Sequence, residues 1–485
     1  MASRKTLLSI IVCLAVVLSV LIGAVAVMQG SGMLSAETTI PTGSQPTTGS
    51  TGTTTRPTDP TTLPTDPTTQ PTDPTTLPTE PTTQPTEPPI YKLSTATIST
   101  TGDFLMNLPC VYTADIVDGE YDFANMFTYF RSYVSAADMA IANLETTLAG
   151  ADYVNSDGKV GYHGSFRFNS PDGIVPSLQA AGFDLLLTAN NHTYDTTTTG
   201  FYRTQQILQK YGMDYLGTLD RDDVPLWQIH DVNGIRIGMV CYTYETNDDP
   251  EKTALNGIPM NSETASRINT FSYGQLETFY AQLEQQIAAM ESAGAEAVML
   301  FIHWGDEYQT KQNKTQSAMA QRICDLGVDV IVGGHPHVLQ PVDLLTSTTD
   351  ENHKTVCIYS LGNAMSNQRI SEMALKTGHT EDGALFSVTF AKYSDGTVIL
   401  EGTNLLPFWV DMHWTAEGKK IYSILPLDDT IEDWKTAFSL TDNRLKLAQD
   451  SYNRSMKIVG EGLAEVQAYL QQLVADTEEK LGIAE

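Results

Sequence analysis

From Tyr91 onward, short apolar runs rich in Val, Ile and Leu alternate with longer stretches in which apolar residues recur every three or four positions. That is the pattern of strands alternating with amphipathic helices. It predicts strands over residues 94–100, 139–142, 183–188, 235–244, 297–302, 328–332 and 356–361, and helices over 123–136, 172–181, 200–211, 274–292 and 315–326. The last helix has a good stop in Gly327. Such alternation means an α/β chain with a mostly parallel or mixed sheet covered by helices on its faces. From Gly383 the pattern turns β-rich, in ALFSVTF and TVILEGTNLLPFWV, which would extend or flank the sheet. Between about 430 and 484 the spacing is helical, with Leu463, Val466, Leu470 and Val474 one turn apart, expected to pack on the main domain.

The first 90 residues have another texture. Arg4 and Lys5 precede an uncharged apolar stretch over 7–30, longer than the roughly 20 residues that span a bilayer. It predicts an uncleaved anchor with the basic end in the cytoplasm and the rest of the chain outside, a single-pass membrane protein. The alternative is a cleaved signal and a secreted protein, since Ala24-Val25-Ala26 has the small residues that a signal peptidase accepts. Ile-Ile-Val before Cys13 argues against lipidation. From about 37 to 89 the composition collapses to Thr, Pro, Ser, Gly and acids, and TTLPTDP, TTQPTDP, TTLPTEP and TTQPTEP occupy 61–88. A seven-residue repeat with no apolar face cannot be a coiled coil. Its prolines and regular acids predict an extended, self-repelling stalk whose threonines offer sites for O-linked sugar. The chain therefore divides into an anchor (1–36), a disordered linker (37–90), a main domain (91–410) and a mostly helical extension (411–485).

Composition narrows the partners. In 485 residues, 28 Lys and Arg face 58 Asp and Glu, a net charge of -30. That field disfavours nucleic acid and anionic lipid, so an anionic substrate needs a local metal or arginine to overcome it. The five cysteines, at 13, 110, 241, 324 and 357, have no CxxC spacing and are read as free thiols rather than a disulfide framework or a zinc knuckle.

The chemistry is concentrated at the ends of the predicted strands. The run VDVIV leads into GGHPH, in which His335 and His337 flank Pro336. Gly333 and Gly334 would let the backbone turn there, so that both imidazoles project toward one point as a metal grip. The plainer alternative is a loop whose histidines cap local backbone groups. Other strand ends carry TGDFLMN with Asp103, ANLETTL with Asn143 and Glu145, TANNHTYD with Asn190, Asn191, His192 and Asp195, and FIHWGDEY with His303, Trp304, Asp306 and Glu307. Singly, Asp103 and Asp195 could cap turns, and Asn190 or Asn191 could serve one. Ligands of open α/β sheets bind at the carboxyl ends of strands, however, and five such clusters would converge on one crevice. Arg167 and Arg203 are candidates for recruiting an anion there, Tyr162 and His163 for a substrate wall, and Asn363 for the crevice lining or for a structural turn.

TGD, NLE, ANNHxxD, HWGxEY, GGHPHVLQ and YSLGN, in this order, resemble the CapA family of poly-γ-glutamate capsule biosynthesis proteins, related to the calcineurin-like metallophosphoesterases. The resemblance covers about residues 94–365. It implies a layered sandwich of central mixed β-sheets flanked by helices, and a centre of one or two divalent metal ions. By motif, Asp103, Glu145, Asn191, His303, His335 and His337 would be the ligands, with Glu145 bridging. His192, oriented by Asp195, would be the catalytic acid, and Asn190, Trp304, Glu307 and Asn363 would contact substrate. Mixed oxygen and nitrogen ligation suits Mn, Fe or Zn. The implied partners are a capsular or cell-envelope anionic polymer and membrane synthase subunits, and the implied roles are a hydrolase or a non-catalytic accessory. The related phosphoesterases have Asp-x-His in the first motif, whereas Leu105 stands two residues after Asp103, which leaves a weaker first site, a single-metal centre or a non-hydrolysing site open.

Overall fold

In the computed structural model the described residues are 89–247 and 252–483. The apolar stretch over 7–30 and the repeat over 61–88 lie outside them. Among the described residues no helix is long and apolar enough to cross a membrane.

Two mixed sheets face each other. The principal strands, in chain order, are β1 (Lys92–Phe104), β2 (Met139–Asn143), β3 (Leu185–Leu187), β4 (Asp214–Leu216), β5 (Trp227–Val232), β6 (Ile235–Tyr244), β7 (Thr270–Phe271), β8 (Ala297–His303), β9 (Val330–Gly334), β10 (Val342–Thr346), β11 (Lys354–Ile358), β12 (Asn363–Met365), β13 (Asp382–Tyr393), β14 (Val398–Trp414) and β15 (Lys420–Pro426). The first sheet runs β15-β14-β13-β1-β2-β3-β4, with β12 beside the end of β1. The second runs β7-β6-β8-β9-β11-β10, with β5 on β6. β1 to β4 are parallel, as are β6, β8, β9 and β11, so the strands that carry chemistry point toward one edge of each sheet.

Period-two alternation decides the layers. Along β8, Met299 and Phe301 face the first sheet and pack with Ile98, Ile141, Leu185 and Met239. Val298, Leu300 and Ile302 face the other way, onto helices α3 (Leu276–Ser292) and α4 (Lys314–Asp325). The outer face of the first sheet carries Ala142 and Leu186 against α1 (Ile174–Ala181) and the aromatic residues Phe127 and Phe130. Helix, sheet, sheet, helix is therefore the layer order, and α2 (Thr197–Tyr211) leads out of the loop that follows β3.

The last helix, α5 (Asp442–Leu481), lies along β14 and β10, one strand from each sheet. Gly462 permits this: a Cβ there would stand 1.8 Å from the Val342 carbonyl oxygen. Arg444 pairs with the buried Asp411 and Arg454 with the buried Asp382, tying α5 to β14 and β13.

The expected helix over 123–136 is instead a 3₁₀ turn (Ala124–Phe127) and a single turn of α-helix (Arg131–Val134). Its apolar residues have helical spacing, but the run FANMFTYFRSYV is dominated by aromatic and other weak helix formers, and no side chain caps either piece. β14 runs through residue 410, and β15 follows as an edge strand of the same sheet before the helical tail begins. All four described cysteines are buried free thiols.

Candidate metal centre

Register brings the strand ends together. Asp103 at the end of β1 lies opposite Asn143 of β2 on one side and Asn363 of β12 on the other. His303 at the end of β8 lies opposite Gly334 of β9, one residue before His335. The pairing of β1 breaks between Thr101 and Asp103 and again between Asp103 and Phe104. Such irregularities at a strand end re-aim a side chain. Close approach of the chains requires glycine here: a Cβ on Gly102 would stand 1.9 Å from the Gly362 carbonyl oxygen, which accepts the Asp103 N–H at 3.0 Å.

At the centre lies Glu145, fully buried, with neither carboxylate oxygen hydrogen-bonded. Around it stand His303 Nε2 at 3.3 Å, His192 Nε2 at 3.8 Å and His337 Nδ1 at 3.9 Å. His337 Nδ1 is also 3.1 Å from Asp103 Oδ2. Buried His335 Nδ1 has no hydrogen-bond partner, and its ring lies 4.9 Å from that of His303. Ligand atoms of Glu145, His303 and His335 lie within 4.8 Å of one another, as do those of Asp103, Glu145 and His337, so the two groups share Glu145. A buried carboxylate and a buried imidazole nitrogen without protein partners are costly unless something else coordinates them. These residues therefore fit one or two divalent cations.

Without a cation the cluster holds protons on Glu145 and His337 that a bound ion would displace. Burial, then the neighbouring Asp103, pushes Glu145 up to about 8. Burial raises the Asp103 carboxyl, but the hydrogen bond and charge of His337, the charge of His303 and the hydrogen bond from Asn143 together outweigh it and hold the group below the usual range. Burial works against the charge of His337, and the carboxylates of Glu145 and Asp103 overcome it, raising it to about 9. His303 is pushed down to about 4 by burial, and His335 well below its ordinary value by burial and the adjacent histidines. Both are thus neutral imidazoles with a lone pair to give, the form that binds metals.

Beside this cluster His192 Nδ1 lies 2.6 Å from Asp195 Oδ2, and its ring packs edge-on against Phe168. With Nδ1–H donating to the Asp195 carboxylate, Nε2 faces Glu145. Asn191 Oδ1 lies 2.7 Å from His303 Nε2, so the six residues expected as ligands and the His192–Asp195 pair stand together.

Not every residue expected at the site faces the cluster. Trp304 does not face the crevice: alternation along β8 turns it to the opposite side from His303, where it is fully buried on Tyr359 and donates its indole N–H to the Tyr359 carbonyl at 3.0 Å. Asn190 is a buried strut, donating to Asn143 Oδ1 and the Leu144 carbonyl and accepting from the His192 N–H. Asn363 is likewise buried, and its amide donates to the carbonyls of His337 and Thr380 and to Gln368. Glu307 is exposed but close enough to raise His337. Arg203 is spent on Asp172 and the Leu148 carbonyl, Arg167 is exposed, and Tyr162 packs on Tyr121. His163 is half-buried in a short strand, with its ring 6.2 Å from that of Tyr153. The turn after β9 is not made by its glycines. The left-handed backbone falls on His335 (φ 95°) and His337 (φ 57°), while Gly333 is needed because a Cβ would strike the Tyr359 carbonyl at 2.0 Å. Backbone strain of about 1–3 kcal/mol per residue is typical of functional sites.

Sequence reasoning missed two groups. Tyr244, at the end of β6, stands 4.8 Å from the His335 ring, and Tyr308 lies 6.1 Å from that of His337. Asn256, between Ala254–Leu255 and Ile258–Pro259, reaches His192, Asp195 and Asn191. The Asn-Gly pair at 256–257 announced a tight hairpin, but nothing in the sequence says what its tip meets.

Fold and cluster together define a mixed α/β sandwich with a metal-competent group of histidines and carboxylates at the carboxyl edge of both sheets. Residues 97–368, more than half of the chain, match the family of bacterial capsule synthesis protein PGA_cap, and the chain belongs to that family. It is 26% identical over 314 residues to capsule biosynthesis protein CapA of Bacillus anthracis, a match that covers 63% of this chain and 66% of that protein. It is 24% identical over 288 residues to PGA biosynthesis protein CapA of Bacillus subtilis (strain 168), covering 57% of this chain and 67% of the relative.

Proposed function

We propose that this capsule-synthesis family member is a metal-dependent hydrolase of the phosphoesterase type, acting on a capsular or cell-envelope anionic polymer or a phosphorylated precursor of it. One observation carries the reading: Glu145 is fully buried with both oxygens unpartnered, amid three imidazoles and near Asp103. Asp103, Glu145, Asn191, His303, His335 and His337 would hold one or two ions of Mn, Fe or Zn. Such ions would supply Lewis acidity toward a phosphoryl oxygen and would activate water at neutral pH. His192, held through Nδ1 by Asp195, keeps Nε2 toward the cluster, where it gives a proton to the leaving oxygen. Phe168 against the His192 ring limits its rotation. The apolar stretch over 7–30 would anchor the protein, and the Thr/Pro repeat would hold the domain outside the cell beside synthase subunits of the membrane.

The test is hydrolysis of a generic phosphodiester and a generic monoester by the purified full-length chain, with bound metal measured, against His335→Ala. Mn-dependent turnover abolished in the variant supports the reading, and equal turnover in both ends the assignment of the site. A second reading, a non-catalytic accessory that binds anionic polymer beside a synthase, is favoured by Leu105. It is 2% exposed at the place where the related phosphoesterases have a ligand histidine, so one position lacks a nitrogen donor. Metal-dependent binding of a polyanion without turnover would support that reading.

A further inference from the structure

Asn256 joins Asn191 to the His192–Asp195 pair from outside their own loop, and it comes from the other sheet's side of the crevice. The chain leaves β6 at Tyr244 and returns as a hairpin of Ala254–Leu255 and Ile258–Pro259. Asn256 (φ 47°) and Gly257 (φ 69°) form its tip, both left-handed as the tightest two-residue turn requires. Thr246, just past β6, ties the hairpin down: its N–H bonds the Ala254 carbonyl at 2.8 Å, and its hydroxyl accepts the Gly257 N–H at 2.9 Å.

The half-buried side chain at this tip uses both ends of its amide. Its Oδ1 accepts from Asn191 Nδ2 at 2.9 Å. Its Nδ2 donates to Asp195 Oδ1 at 3.2 Å and lies 3.0 Å from His192 Nδ1. An asparagine amide has one coordinating atom, the oxygen, and a half-turn about its last bond would replace it with a donor that binds no cation. With Nδ2 of Asn191 held by Asn256, Oδ1 must point at the cluster, where it lies 2.7 Å from His303 Nε2. The same contact fixes the Asp195 carboxylate, whose other oxygen holds His192. We infer that Asn256 is a positioning residue that sets the Asn191 amide oxygen toward the cation cluster while steadying the Asp195–His192 pair, so that the hairpin after β6 is part of the site. This rests on the reading of the cluster as a metal centre.

The test is a Mn²⁺ titration by calorimetry of the metal-stripped full-length protein, as wild type, Asn256→Gly, Asn256→Asp and His335→Ala. Glycine keeps the left-handed turn and removes the side chain, whereas aspartate keeps an acceptor for Asn191 Nδ2 and replaces the donor to Asp195, which is not one of the proposed ligands, with an oxygen that repels it. Loss of an outer hydrogen bond to a ligand typically weakens metal binding about 10- to 100-fold, which is the effect expected of Asn256→Gly, with Asn256→Asp within about threefold of wild type. Rescue by aspartate separates positioning from a merely structural role. Wild-type affinity in Asn256→Gly, or equal weakness in both variants, overturns the inference. If His335→Ala abolishes binding while Asn256→Gly leaves it intact, only the role of Asn256 falls. A wild type that takes up no Mn²⁺ removes the metal centre as well.

Discussion

Gly102→Ala is the smallest change that tests how the fold builds the site. Gly102 does not have a left-handed backbone, so alanine is conformationally acceptable there, and in a strand it would ordinarily gain about 0.5–1 kcal/mol over glycine. The neighbour decides the sign. The new methyl would stand 1.9 Å from the Gly362 carbonyl oxygen, inside the 3.0 Å that real Cβ contacts keep. Backbone must give way by about 1 Å, and the 3.0 Å bond from the Asp103 N–H to the same oxygen then passes beyond hydrogen-bond range. Overpacking of a tight core costs about 1–3 kcal/mol, and a buried N–H left unpaired costs about 1–3 kcal/mol more. Less the gain over glycine, the expected net loss is about 1–5 kcal/mol. Because the strained residue adjoins Asp103, the loss comes with weakened Mn²⁺ binding. Urea unfolding of the metal-free protein and a Mn²⁺ titration read the two effects separately. A variant as stable as wild type with unchanged affinity would refute the claim that contact between the TGD and LGN segments positions Asp103.

Three further outcomes are expected. His335→Gly and His335→Ala both remove the imidazole, but alanine keeps the strain of φ 95°, so the glycine variant unfolds at higher urea, by about 1 kcal/mol, although neither binds Mn²⁺. Mn²⁺ at a hundredfold excess over its Kd stabilises the wild type by about 2.7 kcal/mol, an effect read as a rise in Tm that a chelator reverses and that His337→Ala lacks. Burial opposes ionisation of Asp411, but hydrogen bonds from His413 and Arg444 outweigh it and hold its carboxyl below 3.8. That contribution is complete above the unfolded value and is lost as pH falls through the folded one. Asp411→Asn leaves Arg444 facing a neutral partner, costs about 3–5 kcal/mol near neutrality and flattens the acid limb of urea midpoints measured from pH 3 to 7.

Much of the site was legible because its residues end apolar strands of an α/β pattern. His303 after AVMLFI and the HPH pair after VDVIV could be placed on one rim from periodicity and from the rule that ligands gather at carboxyl ends. Trp304 directly follows the last residue of β8, and continued alternation past His303 already puts it on the other side, on Tyr359. Residues 123–136 have helical spacing but form only short turns, because their aromatic residues have low helix propensity.

By itself the sequence determined the parallel strands β1, β2, β3, β6, β8, β9 and β11, which end of them carries polar chemistry, and the family, through motifs that stand in a fixed order. These are local properties, set by side-chain periodicity and by the residues at the ends of each run. Tertiary structure alone decided that Glu145 is buried without partners, that β1 is re-aimed at Asp103, that strain sits on His335 and His337 rather than on the glycines before them, and that Asn256 reaches across the crevice. Those depend on register between strands distant in the chain and on how closely two sheets approach, and a period of two says which face a residue takes but not what waits on the other side.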